Sequence, residues 1–172
     1  IGCYEKAIEI QPNFAHAHNN LGLSLVGLGE YKKAISYYEK AIEINPNYVI
    51  VYNNLGIVFQ DLGETQKAIS SFQKAVQLDP KFLGAHLNLG NASKASGKYE
   101  KAINCYEKAI EINPNFSSAY LNLGVVFEEL GELQKAKGYY EKALKLKPSS
   151  INAQANISNI YISQLDNLER AI

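Results

Sequence analysis

The sequence "EKAIEINPN" stands at residues 39–47 and returns unchanged at residues 107–115, and a third copy at residues 5–13 differs only at Gln11. The copies begin at offsets of 34 and 68 residues from one another. All five prolines obey the same period of 34: Pro12, Pro46, Pro80, Pro114 and Pro148. A fixed period of this size is typical of arrays in which one small supersecondary unit stacks on its neighbours. The chain is therefore predicted to be a repeat array.

The prolines also set the repeat boundaries. Placing each proline at position 32 of a 34-residue repeat gives four complete repeats: 15–48, 49–82, 83–116 and 117–150. Residues 1–14 then form a half repeat that holds a second helix, and residues 151–172 form a partial repeat. The chain begins at Ile1 and contains no methionine, so we expect it to be a piece of a longer protein.

Each repeat has the pattern of a helical hairpin. In "HNNLGLSL", residues 18–25, the apolar stripe falls at the spacing of one α-helical face. A glycine follows this first helix in every complete repeat, where positive φ would end it: Gly29, Gly63, Gly97 and Gly131. A second helix carries Ala34, Tyr38 and Ala41 before Asn-Pro stops it. The predicted fold class is all-α, built from antiparallel helix-turn-helix repeats.

The stretch "HNNLGLSL…AISYYEKA…NP", from His18 through Pro46, resembles the tetratricopeptide repeat. The resemblance covers essentially the whole chain. It implies a right-handed superhelical solenoid whose first helices line a concave groove. That groove usually holds an extended peptide or another protein.

Charge and motifs exclude several function classes. Seventeen basic side chains balance seventeen acidic ones, which argues against recruitment by nucleic acid or an anionic membrane. No pattern for a catalytic site or a cofactor emerges, and the chain is predicted not to be an enzyme. His16 and His18 point apart on a helix, so no metal site is expected, and His18 and His86 are interpreted as packed imidazoles. The two cysteines are interpreted as thiols in a reducing compartment, which favours a cytoplasmic location.

The residues that face away from the packing stripe of the first helices are the candidate site. Position 6 is asparagine in all five first helices: Asn20, Asn54, Asn88, Asn122 and Asn156. A ladder of carboxamides can donate to and accept from the main chain of an extended peptide. The repeat region of O-linked N-acetylglucosamine transferases, which this pattern resembles, holds peptides with a similar ladder. The same asparagines could instead bond neighbouring backbone or side chains.

The rest of the predicted groove changes along the chain. It is amide-rich at Asn19 and Asn53, and it turns apolar at Leu87, Leu121 and Val125. The implied ligand is extended, largely uncharged, and apolar toward one end. Co-chaperone members of the family grip a terminal carboxylate with asparagines and cations. Asn91 and Asn122 match that pattern, but the cationic places hold Leu87, Asn152 and Asn156, which disfavours this ligand.

Three functions remain open. The first is a non-catalytic scaffold that binds an extended peptide or partner segment along the groove. The second is the substrate-recognition arm of a larger enzyme, such as a glycosyltransferase similar to the O-linked N-acetylglucosamine transferases. The third is head-to-tail self-association, in which Tyr4 and Ile8 of one chain would pack against the helix at 151–164 of another.

Two further expectations concern local structure. Ser93 stands where other repeats have a large apolar residue, so repeat 83–116 is predicted to open first. Leu165 replaces the turn glycine of the last partial repeat, and Asp166 and Asn167 are predicted to supply the turn instead.

Overall fold

A computed structural model describes the backbone of residues 1–169 and the side chains of residues 1–162. Within residues 1–169 the chain forms ten α-helices and no strand, so the predicted all-α class is confirmed. The helices are α1 (Gly2–Ile10), α2 (Ala15–Gly27), α3 (Tyr31–Ile44), α4 (Val49–Asp61), α5 (Thr65–Leu78), α6 (Leu83–Ala95), α7 (Tyr99–Ile112), α8 (Ser117–Glu129), α9 (Leu133–Leu146) and α10 (Ile151–Glu169).

The chain divides into two compact units, Ile1–Ala92 (unit 1) and Ser93–Ile172 (unit 2). In unit 1, α2 packs on α3 and α4 packs on α5 as helical hairpins, and α3 also contacts α4. In unit 2, α8 and α9 form the corresponding hairpin, which α7 and α10 flank. Thus α3 lies between α2 and α4, and α9 lies between α8 and α10.

A glycine beneath an aromatic ring sets the distance between the helices of a hairpin. A Cβ atom added to Gly22 would lie 2.7 Å from the ring of Tyr38. The same test gives 2.5 Å between Gly56 and Phe72, and 2.3 Å between Gly124 and Tyr140. Real Cβ atoms do not approach other atoms so closely, so only glycine admits the ring. The Leu-Gly pairs of α2, α4 and α8 are therefore packing requirements.

The predicted turn glycines end the first helices as expected, with φ of 75° at Gly29, 74° at Gly63, 70° at Gly97 and 76° at Gly131. After α2, the amide of Glu30 donates to the carbonyl of Leu25 at 2.9 Å, and the amide of Gly29 donates to that of Val26 at 2.9 Å. This pair of bonds is the Schellman cap, which satisfies carbonyls that the helix leaves unpaired.

In four of the five first helices, the side chain at repeat position 4 bonds the turn before the helix. Its donor atom bonds the carbonyl of the proline six residues earlier: His18 to Pro12 at 2.8 Å, Tyr52 to Pro46 at 3.2 Å, His86 to Pro80 at 2.9 Å and Gln154 to Pro148 at 2.9 Å. The two histidines are buried, as predicted. Their shared role as donors was not predicted, because packing alone accounts for an aromatic ring there.

The last helix departs from the sequence prediction. α10 continues through Asp166 and Asn167 to Glu169, so the turn predicted at those two residues is wrong. Leu165 occupies the place of the glycine that ends the other first helices, and a leucine resists the positive φ that such a stop requires. Asp and Asn only favour a turn, and both also tolerate helical backbone.

Ser93 is fully buried, and its Oγ has no hydrogen-bond partner within the described residues. The equivalent positions hold Leu25, Phe59 and Phe127. A buried hydroxyl without a partner costs free energy, which supports the expectation that repeat 83–116 opens first. That expectation stays a prediction, with hydrogen exchange as its measurement.

Candidate functional site

The candidate surface consists of the first-helix side chains at repeat positions 2, 5, 6 and 9. In unit 1 it combines half-buried asparagines with exposed aliphatic side chains. Leu23 is 54% exposed, Ile50 50% and Ile57 38%. These three residues are not among those predicted from the sequence. The recurrence of a branched aliphatic side chain at position 9, in Leu23 and Ile57, is the signal that could have found them.

Two rungs of the asparagine ladder are held by hydrogen bonds between repeats. Asn54 donates from Nδ2 to Oδ1 of Asn19 at 3.1 Å, and Asn88 donates from Nδ2 to Oδ1 of Asn53 at 2.9 Å. Asn19 and Asn53 are only 6% and 8% exposed. These two predicted groove residues therefore lie beneath the surface and serve as acceptors for the ladder.

The bonding leaves a defined set of free atoms. Asn19 uses its own Nδ2 to donate to Oδ1 of Asn20 at 3.1 Å, so three amides of unit 1 form one chain of hydrogen bonds. The bonds from Asn54 and Asn88 both use Nδ2, so Oδ1 of Asn54 and Oδ1 of Asn88 keep their capacity as acceptors, and neither is a buried atom without a partner. Each can accept a hydrogen bond from a ligand N–H.

A small depression opens between α2 and α4 in unit 1. Leu23, Val26, Asn54 and Ile57 line it, and it holds a volume of about 40 Å³. Tyr38, which is only 1% exposed, also lines it, and the side-chain hydrogen bonds of residues 1–162 include none from its Oη. Burial raises the pKa of Tyr38 to about 12, so its hydroxyl is protonated at neutral pH and can donate.

Unit 2 bonds the same repeat positions differently. Tyr140, the counterpart of Tyr38, donates from Oη to Oε2 of Glu128 at 2.5 Å. The Asn156 side chain also hydrogen-bonds this hydroxyl. Burial, followed by the bond to Glu128, raises the pKa of Tyr140. The phenol of unit 2 is therefore satisfied inside the protein.

The remaining predicted residues are placed as follows. Leu87, Leu121 and Val125 are half-buried and contribute apolar surface. Asn91 and Asn122 are half-buried too, and neither is without a partner. Asn152 is exposed at one of the places that would need a cation for a carboxylate ligand.

The described side chains offer little for covalent chemistry. Burial raises the pKa of Cys105 to about 11, partly offset by Lys101, so its thiol is protonated at neutral pH. Within the described residues no three His, Cys, Asp or Glu side chains converge as metal ligands would. The surface is suited to non-covalent contacts.

Stacked helical hairpins with a mixed amide and aliphatic face define a class of helical-repeat proteins. Comparison with known families specifies that class: profiles described as tetratricopeptide repeat match residues 13–81, 71–104 and 117–150, and one described as TPR repeat matches residues 90–131. The chain belongs to the tetratricopeptide repeat family. No curated protein sequence matches it.

Solved structures agree with this assignment. One crystal structure of MamA is 30% identical to the chain with a TM-score of 0.79, covering 84% of this chain and 85% of that one. A second MamA structure is 31% identical with a TM-score of 0.80, covering 87% and 82%. MamA 41-end from Desulfovibrio magneticus RS-1, at 21% identity and a TM-score of 0.77 over 86% and 84%, shares the fold.

Proteins with this fold are typically non-catalytic, and the repeats together with these neighbours support a protein-interaction scaffold with protein partners. Among the described helices, none is both long and apolar enough to cross a bilayer.

Proposed function

We propose that the first-helix face of unit 1 binds an extended peptide segment of a protein partner. The observation that carries the proposal is the exposure of Leu23 and Ile57 on either side of Asn54, at the mouth of the depression above Tyr38. Aliphatic side chains next to a free carboxamide oxygen can bind apolar side chains and main chain of one ligand together.

The asparagines supply the main-chain contacts in this proposal. Oδ1 of Asn54 and Oδ1 of Asn88 accept N–H groups of the peptide backbone, while their Nδ2 atoms stay bonded to Asn19 and Asn53. Because these bonds fix the carboxamides before the ligand arrives, little side-chain entropy is lost on binding. The two roles considered for the ladder are thus compatible, since the nitrogen is structural and the oxygen faces the ligand.

Tyr38 adds selectivity at one point of the ligand. Tyr38 lines an apolar depression of about 40 Å³, and its hydroxyl is protonated at neutral pH. A space of that size admits a methyl-sized group or one water molecule, whose share of liquid volume is about 30 Å³. The peptide is therefore expected to present a short side chain with a hydrogen-bond acceptor there, flanked by apolar side chains for Leu23 and Ile57.

In unit 2, the residues proposed to contact an apolar part of a partner are Leu121, Val125 and Asn122. Because the cationic residues of a carboxylate clamp are missing, the ligand is proposed to be largely uncharged.

The first experiment is a screen of the protein against an unbiased array of extended peptides, beside a variant with Leu23→Ser and Ile57→Ser. We expect the variant to bind the selected peptides roughly tenfold more weakly, because two apolar contacts are lost. Both side chains are exposed, so the fold should not change. A matched control carries Leu28→Ser and Leu62→Ser, which are equally exposed but line the helix-to-helix turns of unit 1.

The proposal fails if the Leu23 and Ile57 variant binds the same peptides as the parent, or if the control loses them to the same extent. An added variant, Asn54→Asp, keeps the shape of the side chain but removes its donor. If this variant binds more weakly and also has a lower melting temperature, the role of Asn54 is mainly structural.

Self-association through α1 and α10 stays a separate prediction. Tyr4 and Ile8 already pack partly against the core of α2, α3 and α4, which leaves less of each for a second copy. Ile10 of α1 and Ile151 of α10 are exposed and would be buried in such a contact. Sedimentation at rising protein concentration measures it, and a strict monomer would exclude it.

A further inference from the structure

Helix α9 departs from the other second helices in the same direction at three repeat positions. Position 21 is isoleucine in α3, α5 and α7 but Lys137 in α9. Position 29 is Glu43, Gln77 and Glu111 in the other repeats but Lys145 here, and position 31 is Asn45, Asp79 and Asn113 but Lys147 here. Each change adds a positive charge where the other copies are neutral or acidic.

The change at position 29 removes the partner of a neighbouring lysine. Lys40 pairs with Glu43 at 2.7 Å, and Lys108 pairs with Glu111 at 2.6 Å. Lys142 is the equivalent lysine of α9, but Lys145 stands in place of the glutamate. The Nζ atom of Lys142 lies instead over the ring of Tyr139, 5.3 Å from the ring centroid. It lies 5.9 Å from the ring centroid of Tyr120.

The change at position 31 removes a turn contact. In the other repeats the side-chain Oδ1 accepts the amide two residues later: Asn45 from Asn47 at 3.2 Å, Asp79 from Lys81 at 2.9 Å and Asn113 from Asn115 at 3.0 Å. A lysine side chain has no acceptor, so Lys147 cannot make this bond. The local fold does not account for a cation there.

The three lysines at this end of α9 are not neutralised by nearby carboxylates. Within residues 1–162, Lys142, Lys145 and Lys147 form no ion pair, and all three are exposed. The carboxylates near them interact with other groups. Glu141 pairs with Lys137 at 3.9 Å, Glu132 pairs with Lys135, and Glu107 of α7 acts on the Tyr139 hydroxyl. A favourable interaction with the helix C-terminus accounts for Lys145 alone, the one basic residue of the last turn.

We propose that the C-terminal half of α9 together with the residue that follows the helix, defined by Tyr139, Lys142, Lys145 and Lys147, is a docking surface for an acidic segment of a protein partner. Asp or Glu side chains of the partner pair with the three lysines, and the exposed part of Tyr139 gives an apolar contact. The occupant is argued from charge complementarity. The surface lies on a second helix, so it is separate from the proposed peptide face of the first helices.

An acidic protein segment fits better than a nucleic acid. The chain carries as many acidic as basic side chains, seventeen of each, whereas nucleic-acid binding draws on a broad basic field. Three lysines on one helix end match a short run of carboxylates instead.

The test uses a fluorescent peptide of alternating glutamate and alanine as the probe, titrated at low and at physiological salt. The variant carries Lys145→Glu and Lys147→Asn, which are the residues that repeats 15–48 and 83–116 have at these positions. The substitutions therefore suit the fold, and circular dichroism should be unchanged. We expect binding to weaken roughly tenfold, with a flatter salt dependence, because three units of charge are lost.

A matched control carries Lys32→Glu and Lys81→Asn, the same charge change on exposed lysines of unit 1. This control should bind the probe as the parent does. Equal weakening in both variants would mean that only net charge matters. No weakening in the α9 variant would mean that Lys145 and Lys147 do not bind the peptide. Either result overturns the proposal.

Two further arms identify the class of partner. Single-stranded DNA and vesicles containing phosphatidylserine are titrated under the same conditions, and tighter binding of either one than of the glutamate peptide would show the assignment to an acidic protein to be wrong. The variant with Leu23→Ser and Ile57→Ser should bind the glutamate peptide as the parent does, so this proposal and the peptide face of unit 1 can fail independently.

Discussion

Asn54 in unit 1 and Asn156 in unit 2 occupy the same repeat position but bond different partners. Asn54 donates to the buried amide of Asn19, whereas Asn156 bonds the hydroxyl of Tyr140. The difference follows from position 5, which is Asn19 in unit 1 and Leu121 in unit 2. A leucine has no acceptor, so the amide of unit 2 has to bond elsewhere. A residue repeated in strict phase therefore takes its role from its neighbours.

The hydroxyls of Tyr38 and Tyr140 also differ in their hydrogen bonding. Tyr140 has Glu128 within reach, but the equivalent neighbour of Tyr38 is Val26. Within the described residues the hydroxyl of Tyr38 makes no hydrogen bond, while that of Tyr140 is used in holding α8, α9 and α10 together. This difference in pairing is the reason why the peptide-binding face is proposed for unit 1.

The feature that both units share should give the largest effect. Gly22→Ala and Gly124→Ala both force a Cβ into the tyrosine ring, at 2.7 Å and 2.3 Å. Each should lower the free energy of unfolding by about 3 kcal/mol, the upper end for overpacking, as measured by urea denaturation. Gly138→Ala on α9, where no atom lies within 4 Å, is the control and should be neutral or stabilising. If Gly124→Ala were as stable as Gly138→Ala, the packing description would be wrong.

The two tyrosine hydroxyls should differ by a smaller amount. Tyr140→Phe leaves Glu128 and Asn156 without their partner and should cost about 2 kcal/mol of stability. Tyr38→Phe removes a hydroxyl that bonds nothing within the described residues, and its stability should stay within about 0.5 kcal/mol of the parent. Thermal and urea unfolding of the pair measures this. Equal losses would contradict the difference between the units.

The amide chain of unit 1 can be broken by giving it the residue of unit 2. Asn19→Leu leaves Nδ2 of Asn54 without an acceptor and should cost about 1.5 kcal/mol. Asn159→Leu, on an exposed residue of α10, is the control and should change little. In a double-mutant cycle with Asn54→Leu, additive losses would mean that the two asparagines are not coupled.

The smallest effect appears at alkaline pH. The folded-state pKa of Tyr38 is raised to about 12 by burial, above its ordinary value of 10.0. Its contribution to stability is complete below pH 10 and is lost as the pH rises through 12, because the unfolded chain ionises first. At pH 11 this loss is about 1 kcal/mol per buried tyrosine. Tyr38→Phe should flatten the decline between pH 10 and 12; an unchanged slope in urea titrations would contradict it.

Most of the fold could be predicted because the same sequence pattern recurs in several repeats. Four turn glycines at one spacing leave a single register, and the structure gives all four positive φ. The side-chain bonds could not be predicted in the same way. Whether the Asn54 carboxamide bonds Asn19 or a tyrosine depends on the distance between helices. The repeat period alone does not predict that distance. The turn predicted at Asp166 and Asn167 was wrong because only one repeat informed it, and in that repeat Leu165 replaces the turn glycine.

The bond from position 4 to the preceding proline carbonyl changes how this position should be read in other proteins. Tyr52, His18, His86 and Gln154 differ in size, charge and aromaticity, but each supplies a hydrogen to that carbonyl. The trait that is kept is donor capacity rather than a ring. A search profile that rewards any long donor side chain here would recover diverged repeats that an aromatic rule discards. A designer of new repeats would gain a third choice, glutamine, at a site now filled with tyrosine.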